Sequence, residues 1–146
     1  MPKKESYKYL EYMELLTLCK EFWQGKEHDS VRFLASLNGM KEDIEKNKNL
    51  KNDEKAKLLS RINQDTSEVI NEIKEYIDSI FKGNKEDRAI KLGYITKKIS
   101  NCGEISEEQK LDIMRYIQNS LINMATPKNE FDEIIERPQN RFSGMY

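Results

Sequence analysis

Residues that commonly build metal, redox and acid–base sites are scarce in this chain. It has one histidine, His28, and two cysteines, Cys19 and Cys102, which do not form a CxxC motif. A zinc site needs four ligands at close spacing, and small secreted domains usually carry more cysteines than this. We therefore expect no metal ion and no cofactor on these residues, and reduced thiols in a cytoplasmic protein.

The chain also lacks long apolar runs, low-complexity tracts and an excess of one charge. No stretch approaches the roughly 20 apolar residues that a membrane-spanning helix needs, and the first residues do not resemble a signal peptide. The 25 lysine and arginine residues nearly balance the 26 aspartate and glutamate residues, for a net charge of −1. This balance gives no long-range attraction to nucleic acid or anionic lipid, and we expect no membrane partner.

What the chain does have is regular helical spacing of its apolar residues. Hydrophobic residues make up 37% of the 146 positions and recur at the three- and four-residue intervals of amphipathic helices. The sequence predicts an all-α fold, a single-domain helical bundle of five to six helices over residues 1–136. Residues 137–146 have no helical period and are predicted to form a tail. Abundant lysine, isoleucine and asparagine favour an AT-rich genome, such as that of a low-GC bacterium or a phage.

Helix boundaries follow from capping residues and from breaks in the period. The predicted boundaries are about 6–23, 29–46 and 52–81 for the first three helices, Asn84 to Cys102-Gly103 for the fourth, Ser106 to Met124 for the fifth and Pro127 to Arg137 for a short sixth. Asn52 is the expected N-cap of the third helix, and Ser106 with Gln109 forms a capping box. Residues 93–99 also fit a short strand, but the sequence offers no partner strand.

Core positions are predicted from the apolar spacing of each helix. The third helix repeats at alternating spacings of three and four, which is typical of a coiled-coil-like seam: Leu59, Ile62, Thr66, Val69, Ile73, Tyr76 and Ile80. Four further apolar residues widen this stripe: Leu58, Ile70, Ile77 and Phe81. The fifth helix has a similar spacing at Leu111, Met114, Ile117, Leu121 and Met124. The sixth helix would bury Phe131, Ile134 and Ile135.

The first helix is unusual because it has apolar residues on two opposite sides. One side, predicted to be core, carries Tyr9, Tyr12, Met13, Leu16 and Trp23. The other side carries Tyr7, Leu15, Leu18 and Phe22. A surface helix needs only one apolar face, so either this helix lies centrally or its second face meets a partner. We interpret the second side as the partner-binding face, to which Phe142 and Tyr146 of the tail could add.

Two acidic motifs on neighbouring predicted helices give an enzymatic alternative. Glu42 and Glu45 form ExxE on the second helix, and Glu75 and Asp78 form ExxD on the third. Four carboxylates from facing helices can hold Mg²⁺ against the phosphates of a nucleotide. The arrangement resembles the motif of the all-α NTP pyrophosphohydrolases (the MazG-like family), which implies an Mg²⁺-dependent nucleotide hydrolase. However, these residues lie off the predicted apolar seams, so they are expected to face solvent.

Trp23-Gln24-Gly25 falls between the first two predicted helices and gives a second alternative. It resembles the WXG turn of the WXG-type secreted helical hairpin proteins, and the likeness covers these three residues and their placement. The chain is longer than such hairpins and has no clear YxxxD/E export signal. A tryptophan that packs into the core beside a glycine helix stop explains the same residues.

A basic group around the fourth helix gives a third alternative, a nucleic-acid-binding regulator. Phosphate binding needs clustered lysine and arginine, and such residues occur here at Lys85, Arg88, Lys91 and Lys98. No helix-turn-helix pattern and no set of stacking aromatic residues accompanies them, apart from Tyr94.

No strong catalytic motif is present, so the sequence favours a small non-enzymatic helical protein that binds another macromolecule. We expect a protein partner or a second copy of the chain. An inhibitor, an immunity or antitoxin-type partner, or a small subunit of a larger assembly would fit, including one from a phage or mobile element. Fold class alone does not decide among these.

Overall fold

The computed structural model describes residues 6–25 and 29–125. This part of the chain is helical and contains no strand. The five helices are α1 Tyr7–Gln24, α2 Ser30–Lys46, α3 Asn52–Lys82, α4 Lys85–Ser100 and α5 Glu107–Ala125. The all-α prediction is confirmed, and residues 93–99 belong to α4 rather than to a strand. The predicted sixth helix with Phe131, Ile134 and Ile135, and the tail residues Phe142 and Tyr146, lie outside the described residues.

Local capping explains where the helices begin. Asn84 caps α4, since its side chain accepts a hydrogen bond from the Asp87 N–H at 2.9 Å. The predicted capping box is present: the Gln109 N–H donates to the Ser106 hydroxyl at 3.1 Å, and the Ser106 N–H donates to the Gln109 side chain at 3.2 Å. The predicted N-cap of α3 is wrong. Asn52 is already helical and Lys51 takes the capping position, because the side chain of Glu54 accepts the Lys51 N–H.

Side-chain contacts fix the directions of the first three helices. Tyr12, near the middle of α1, donates to Asp43 towards the end of α2 at 2.8 Å, while the Trp23 indole at the end of α1 donates to Ser30 at the start of α2 at 3.0 Å. These two helices are therefore antiparallel. Lys55 at the start of α3 donates to the Glu45 carbonyl at the end of α2 at 3.2 Å, so α3 reverses direction again.

The fourth and fifth helices attach to this set through polar contacts. Arg88 of α4 donates to the carbonyls of Phe81 and Gly83, at 3.3 and 3.1 Å, at the end of α3. At the start of α5, the Asn38 amide of α2 donates to Gln109 at 2.7 Å. The described residues divide into two units, one up to Met114 and one from Arg115 onward, with the division inside α5.

The core of the first unit is aliphatic with an aromatic edge. The α3 residues that are buried are Leu58, Ile62, Asp65, Val69, Ile73, Ile77 and Ile80, together with Glu54. The predicted seam is only partly correct, since Leu59 is half-buried and Tyr76 is 44% exposed. Leu58 and Ile77, predicted to widen the stripe, are buried. The wider stripe is buried because α3 packs against α1, α2 and α4.

The predicted buried face of α5 is wrong at three of its five positions. Leu111, Leu121 and Met124 are 56%, 46% and 45% exposed, whereas burial falls on Ile113 and Ile117. In the first unit, polar contacts with neighbouring helices explain which residues of α5 are buried. Gln109 is held by α2, and Asp112 accepts from Lys74 of α3 at 3.2 Å, which turns Ile113 inward and Leu111 outward. The apolar spacing of α4 predicts one inward face of Ala89, Leu92, Ile95 and Ile99. Ile95 and Ile99 are buried and Leu92 is half-buried, while Ala89 is exposed.

Candidate functional site

The outward side of α1 carries several apolar side chains that are exposed among the residues the structure describes. We define the outer stripe as Tyr7, Leu15, Leu18 and Phe22, which are 80%, 44%, 53% and 55% exposed. At ~100° per residue these four side chains lie within about 80° of one another on the helix surface. Leu10 is also 50% exposed, but lies about 60° beyond Tyr7 around the helix.

The inward side of the same helix is core. Tyr9, Tyr12, Leu16 and Trp23 are at most 7% exposed, and Met13 is half-buried. The Trp23 ring stacks on Phe33 of α2 with ring centroids 4.7 Å apart and planes 16° from parallel, an arrangement that adds specificity to apolar burial. The helix therefore has one buried and one exposed apolar side, whereas the sequence left open whether the second side was buried or exposed.

Polar anchors hold α1 at both ends and in the middle. At its start Ser6 binds Glu54 of α3. In the middle Tyr12 binds Asp43, and burial together with this hydrogen bond raises the pKa of the Tyr12 hydroxyl. These groups lie on the inward side of α1, and rotating the helix to bury the outer stripe would break them. The exposure of the outer stripe is thus a consequence of how α1 is fixed.

A buried carboxylate on α3 completes the attachment near the end of α1. Asp65 is 1% exposed and contacts Lys20 of α1 at 3.4 Å and Arg61 of α3 at 3.2 Å. Lys20 also pairs with Glu68 at 2.9 Å. The hydrogen bond to Glu68, opposed by partial burial and helped by Asp65, raises the pKa of Lys20. The sequence does not predict this contact between Asp65 and Lys20. Its one local signal is that Asp65 directly precedes Thr66 of the predicted seam.

The outer stripe has an acidic border. Glu11 lies within it and pairs with Lys8 at 2.9 Å, while Glu14 and Glu21 are exposed on one edge. An apolar surface with carboxylates along one edge is complementary to an apolar surface that carries basic residues at the matching edge.

The structure does not bring the two acidic motifs together. Glu45 of α2 lies beside Lys55, the position at which α3 begins its return. Glu75 is twenty residues further along α3, about 30 Å away at ~1.5 Å per residue. Glu42, Glu45 and Glu75 are exposed and Asp78 is half-buried. Within residues 6–25 and 29–125, no three histidine, cysteine, aspartate or glutamate side chains are placed to share a metal ion.

The basic residues around α4 are divided between structural contacts and solvent. Arg88 holds the end of α3 through two backbone carbonyls, and Lys98 pairs with Asp29 at 2.9 Å. Lys85 and Lys91 are exposed. Two of the four residues in the nucleic-acid alternative therefore already stabilise contacts between helices.

The WXG-like residues end α1. Trp23 is buried against α2, and Gly25 is the C-cap. A Cβ atom on Gly25 would lie 3.0 Å from the Glu21 carbonyl oxygen, a tight contact that favours glycine at this position. Core packing and a helix stop account for both residues.

A cleft opens between α2, α3 and α4, and sequence analysis did not predict it. Its volume is about 330 Å³, and its lining is Asp29, Ser30, Val31, Glu72, Ile73, Tyr76, Tyr94, Ile95 and Lys98. We call it the tyrosine cleft. Partial burial disfavours the charged amine of Lys98, but the hydrogen bond and charge of Asp29 outweigh this and raise the pKa of Lys98. A second, smaller depression between α1 and α2 includes Phe22, Arg32 and Asp29.

Comparisons of the chain with models of known protein families, with characterised proteins and with solved structures found no match. The two family resemblances therefore rest on the residues quoted for them. In the part of the chain that the structure describes, each helix is too short or too polar to cross a membrane.

Proposed function

We propose that this protein is a small, non-enzymatic helical binding protein that docks another protein on the outer stripe of α1. The observation that carries the proposal is the double-sided character of α1, whose second apolar side stays exposed while its first is core. Contiguous exposed apolar residues on a folded protein mark interaction surfaces. Aromatic residues such as Tyr7 and Phe22 are common anchors in such surfaces.

The acidic border favours a different protein over a second copy of this chain. If two α1 helices paired in parallel about a two-fold axis, Glu11 would face its own copy. Like charges that face each other across a contact between two helices repel. A partner with an apolar surface and basic residues at its edge avoids this conflict.

The proposal keeps the sequence-based architecture of a helical bundle in which α3 is a coiled-coil-like central helix. Support comes from the length of α3, 31 residues, and from its contacts with α1, α2 and α4. The proposal assigns no catalytic residue, places the protein in the cytoplasm, and leaves the inhibitor, immunity or antitoxin-type and assembly-subunit roles as its possible biological forms.

Site-specific photo-crosslinking in the native host tests this function. A photoreactive phenylalanine analogue would replace Phe22 on the outer stripe or, as the matched control, Ile90 on α4, which is 72% exposed. We expect a discrete crosslinked product at Phe22 that contains one other protein and is missing at Ile90. Identical products at the two positions, or none at Phe22, would refute the proposal.

A further inference from the structure

Asn38 and Gly39 are neighbours in the middle of α2, which runs from Ser30 to Lys46. Both residue types are unfavourable inside a helix, and glycine is the more unfavourable of the two. Packing does not require this glycine, since no described atom outside α2 lies within 4 Å of the position that a Cβ atom on Gly39 would take. Gly39 is exposed and Asn38 is half-buried. The two residues therefore weaken α2 locally, and the glycine contributes nothing to the core.

The side-chain amide of Asn38 joins α2 to the start of α5. Its Nδ2 donates to the Glu104 carbonyl at 2.8 Å and to the Gln109 Oε1 at 2.7 Å. Its Oδ1 accepts from the Gln109 Nε2 at 3.3 Å. We call Asn38 and Gln109 the amide pair. Because the Gln109 Oε1 also accepts the Ser106 N–H, the amide pair connects α2 to the residues that cap α5.

An asparagine that is followed by glycine can deamidate in a reaction that needs only water. The Gly39 backbone nitrogen attacks the Asn38 Cγ, which forms the N–Cγ bond of a five-membered succinimide. The Cγ–Nδ2 bond breaks, and Nδ2 leaves as ammonia with the proton of the Gly39 nitrogen. Water then opens the ring at either of its carbonyls and gives aspartate or isoaspartate. Glycine favours the attack because it has no Cβ atom beside its nitrogen.

The folded structure opposes this reaction in two ways. Within a helix the Gly39 N–H is bonded to the carbonyl of the residue four positions earlier, Ala35. The amide pair, in addition, holds the Asn38 amide on Gln109 and Glu104. Attack on Cγ requires both to be released, so the rate depends on how often this part of α2 opens. Because asparagine and glycine weaken the helix here, the amide pair supplies a large part of the protection.

We propose that Asn38–Gly39 is a spontaneous deamidation site that the amide pair keeps unreacted, and that its conversion releases the start of α5 from α2. A carboxylate has no proton to donate, so the contacts with the Glu104 carbonyl and the Gln109 Oε1 would be lost. Asn38 also lines a polar depression of about 390 Å³, whose charged lining is Lys41, Glu42, Glu45, Glu104 and Glu108. A new negative charge among four carboxylates is repelled, which further favours release.

Peptide mass spectrometry measures the protection directly. The full chain is incubated at neutral pH and physiological temperature, and the peptide with Asn38 is followed for the mass increase that replacing NH₂ by OH produces. We expect Gln109→Ala to deamidate roughly tenfold faster than the parent, the effect of losing one to two hydrogen bonds. Tyr12→Phe loses the contact with Asp43 elsewhere on α2 and should keep the parental rate. Equal rates in Gln109→Ala and the parent, or equal acceleration in Tyr12→Phe, would overturn the role of the amide pair.

Two controls in the same experiment test the chemistry. Gly39→Ala keeps the amide pair but adds a Cβ atom beside the attacking nitrogen, so it should stay unmodified. Asn63 and Asn71 of α3 are followed by larger residues and should stay unmodified in every variant. Conversion of Gly39→Ala at the parental rate, or conversion of Asn63 or Asn71 as fast as that of Asn38, would contradict a site set by the glycine.

Amide hydrogen exchange tests the release of α5. Asn38→Asp has the product side chain, and Asn63→Asp is the matched control because it makes the same change at an exposed position of α3. The reporter is the Lys110 N–H in the first turn of α5, which donates to the Ser106 carbonyl at 2.9 Å. We expect its exchange to be roughly tenfold faster in Asn38→Asp and unchanged in Asn63→Asp. Parental protection of Lys110 in Asn38→Asp would overturn the proposed release.

Discussion

Glu54 joins the beginning of α1 to the beginning of α3 through Ser6, a residue 48 positions away. Its carboxylate accepts the Ser6 backbone N–H at 2.8 Å and the Ser6 hydroxyl at 2.9 Å, as well as the Lys51 N–H at 3.1 Å. The Glu54 side chain thus accepts hydrogen bonds from N–H groups at the N-termini of two helices. Such N–H groups have no hydrogen-bond partner within their own helix. Because Ser6 is the N-cap of α1, Glu54 also fixes where the helix with the outer stripe begins.

Replacing Glu54 by glutamine should destabilise the fold in a pH-dependent way. The hydrogen bond from the Ser6 N–H, outweighing burial and helped by Lys51 and the Ser6 hydroxyl, holds the pKa of Glu54 below its ordinary value of 4.5. A lowered folded-state pKa stabilises the fold above the unfolded-state pKa and loses this effect as pH falls through the folded-state value. We expect Glu54→Gln to have a lower Tm than the parent at pH 7. This difference in Tm should shrink as the pH falls through the folded-state pKa of Glu54. A difference that is constant with pH would contradict the ionised role.

Removing the buried carboxylate of Asp65 should cost more than removing its exposed neighbour. Asp65→Ala leaves Lys20 and Arg61 without their shared partner, although both reach solvent. We expect a loss of about 2–3 kcal/mol, below the ~3–5 kcal/mol of a fully buried pair. The matched control Glu68→Ala, whose side chain is 42% exposed, should cost less than about 1 kcal/mol. Urea unfolding measures both, and equal losses would show that burial of Asp65 is not decisive.

A charge placed on the buried surface of α3 should be strongly destabilising. Ile73 is 2% exposed, and Ile73→Asp would both remove packing and bury an unpaired carboxylate, at about 3–5 kcal/mol. Ile90→Asp on α4 introduces the same side chain at a 72% exposed position and should change stability by less than about 0.5 kcal/mol. If thermal unfolding of Ile73→Asp matched that of the parent, α3 would not form core at this point.

The two separated acidic motifs should be dispensable for folding and partner binding. The combined change of Glu42, Glu45, Glu75 and Asp78 to glutamine alters mostly exposed side chains. Calorimetric titration with Mg²⁺ and nucleoside triphosphates should give no specific binding heat for either the parent or this variant. Tight binding by the parent that the variant loses would reinstate the hydrolase alternative.

What could be predicted from sequence was local, and what was missed depends on distant residues. Asn84 as a cap and the Ser106/Gln109 box were predictable because their partners lie three residues away. The outward side of α1 was predictable because helical periodicity separates it from Leu16 and Trp23 within a single helix. By contrast, the roles of Glu54 and Asp65 depend on Ser6 and Lys20.

The same reasoning applies to α5 and to the tyrosine cleft. The heptad spacing of α5 is present in the sequence, but two distant polar contacts determine which side of its first part faces inward. Asn38 contacts Gln109, 71 residues away, and Lys74 contacts Asp112, 38 residues away. The cleft combines side chains from three helices, and no spacing within one helix signals it. Tyr76 and Tyr94 line one cleft only because α3 and α4 lie side by side.

The two sides of α1 should respond oppositely to the same substitution. Leu16 is fully buried, and Leu16→Glu should unfold the protein or lower its stability by several kcal/mol. Leu18 is 53% exposed. The Tm of Leu18→Glu, measured by circular dichroism, should therefore lie within a degree or two of the parent's Tm. If Leu18→Glu unfolds as Leu16→Glu does, α1 is buried on both sides.

Partner affinity at Leu18 tests the central claim most directly. The protein crosslinked at Phe22 would be titrated by calorimetry into the parent, into folded Leu18→Glu and into the control Ile90→Glu. Loss of an interface anchor typically costs about 2 kcal/mol or more, roughly a thirtyfold rise in Kd. We predict such a rise for Leu18→Glu and an unchanged Kd for Ile90→Glu. A Kd for Leu18→Glu equal to that of the parent would contradict the assignment of the outer stripe as the binding surface.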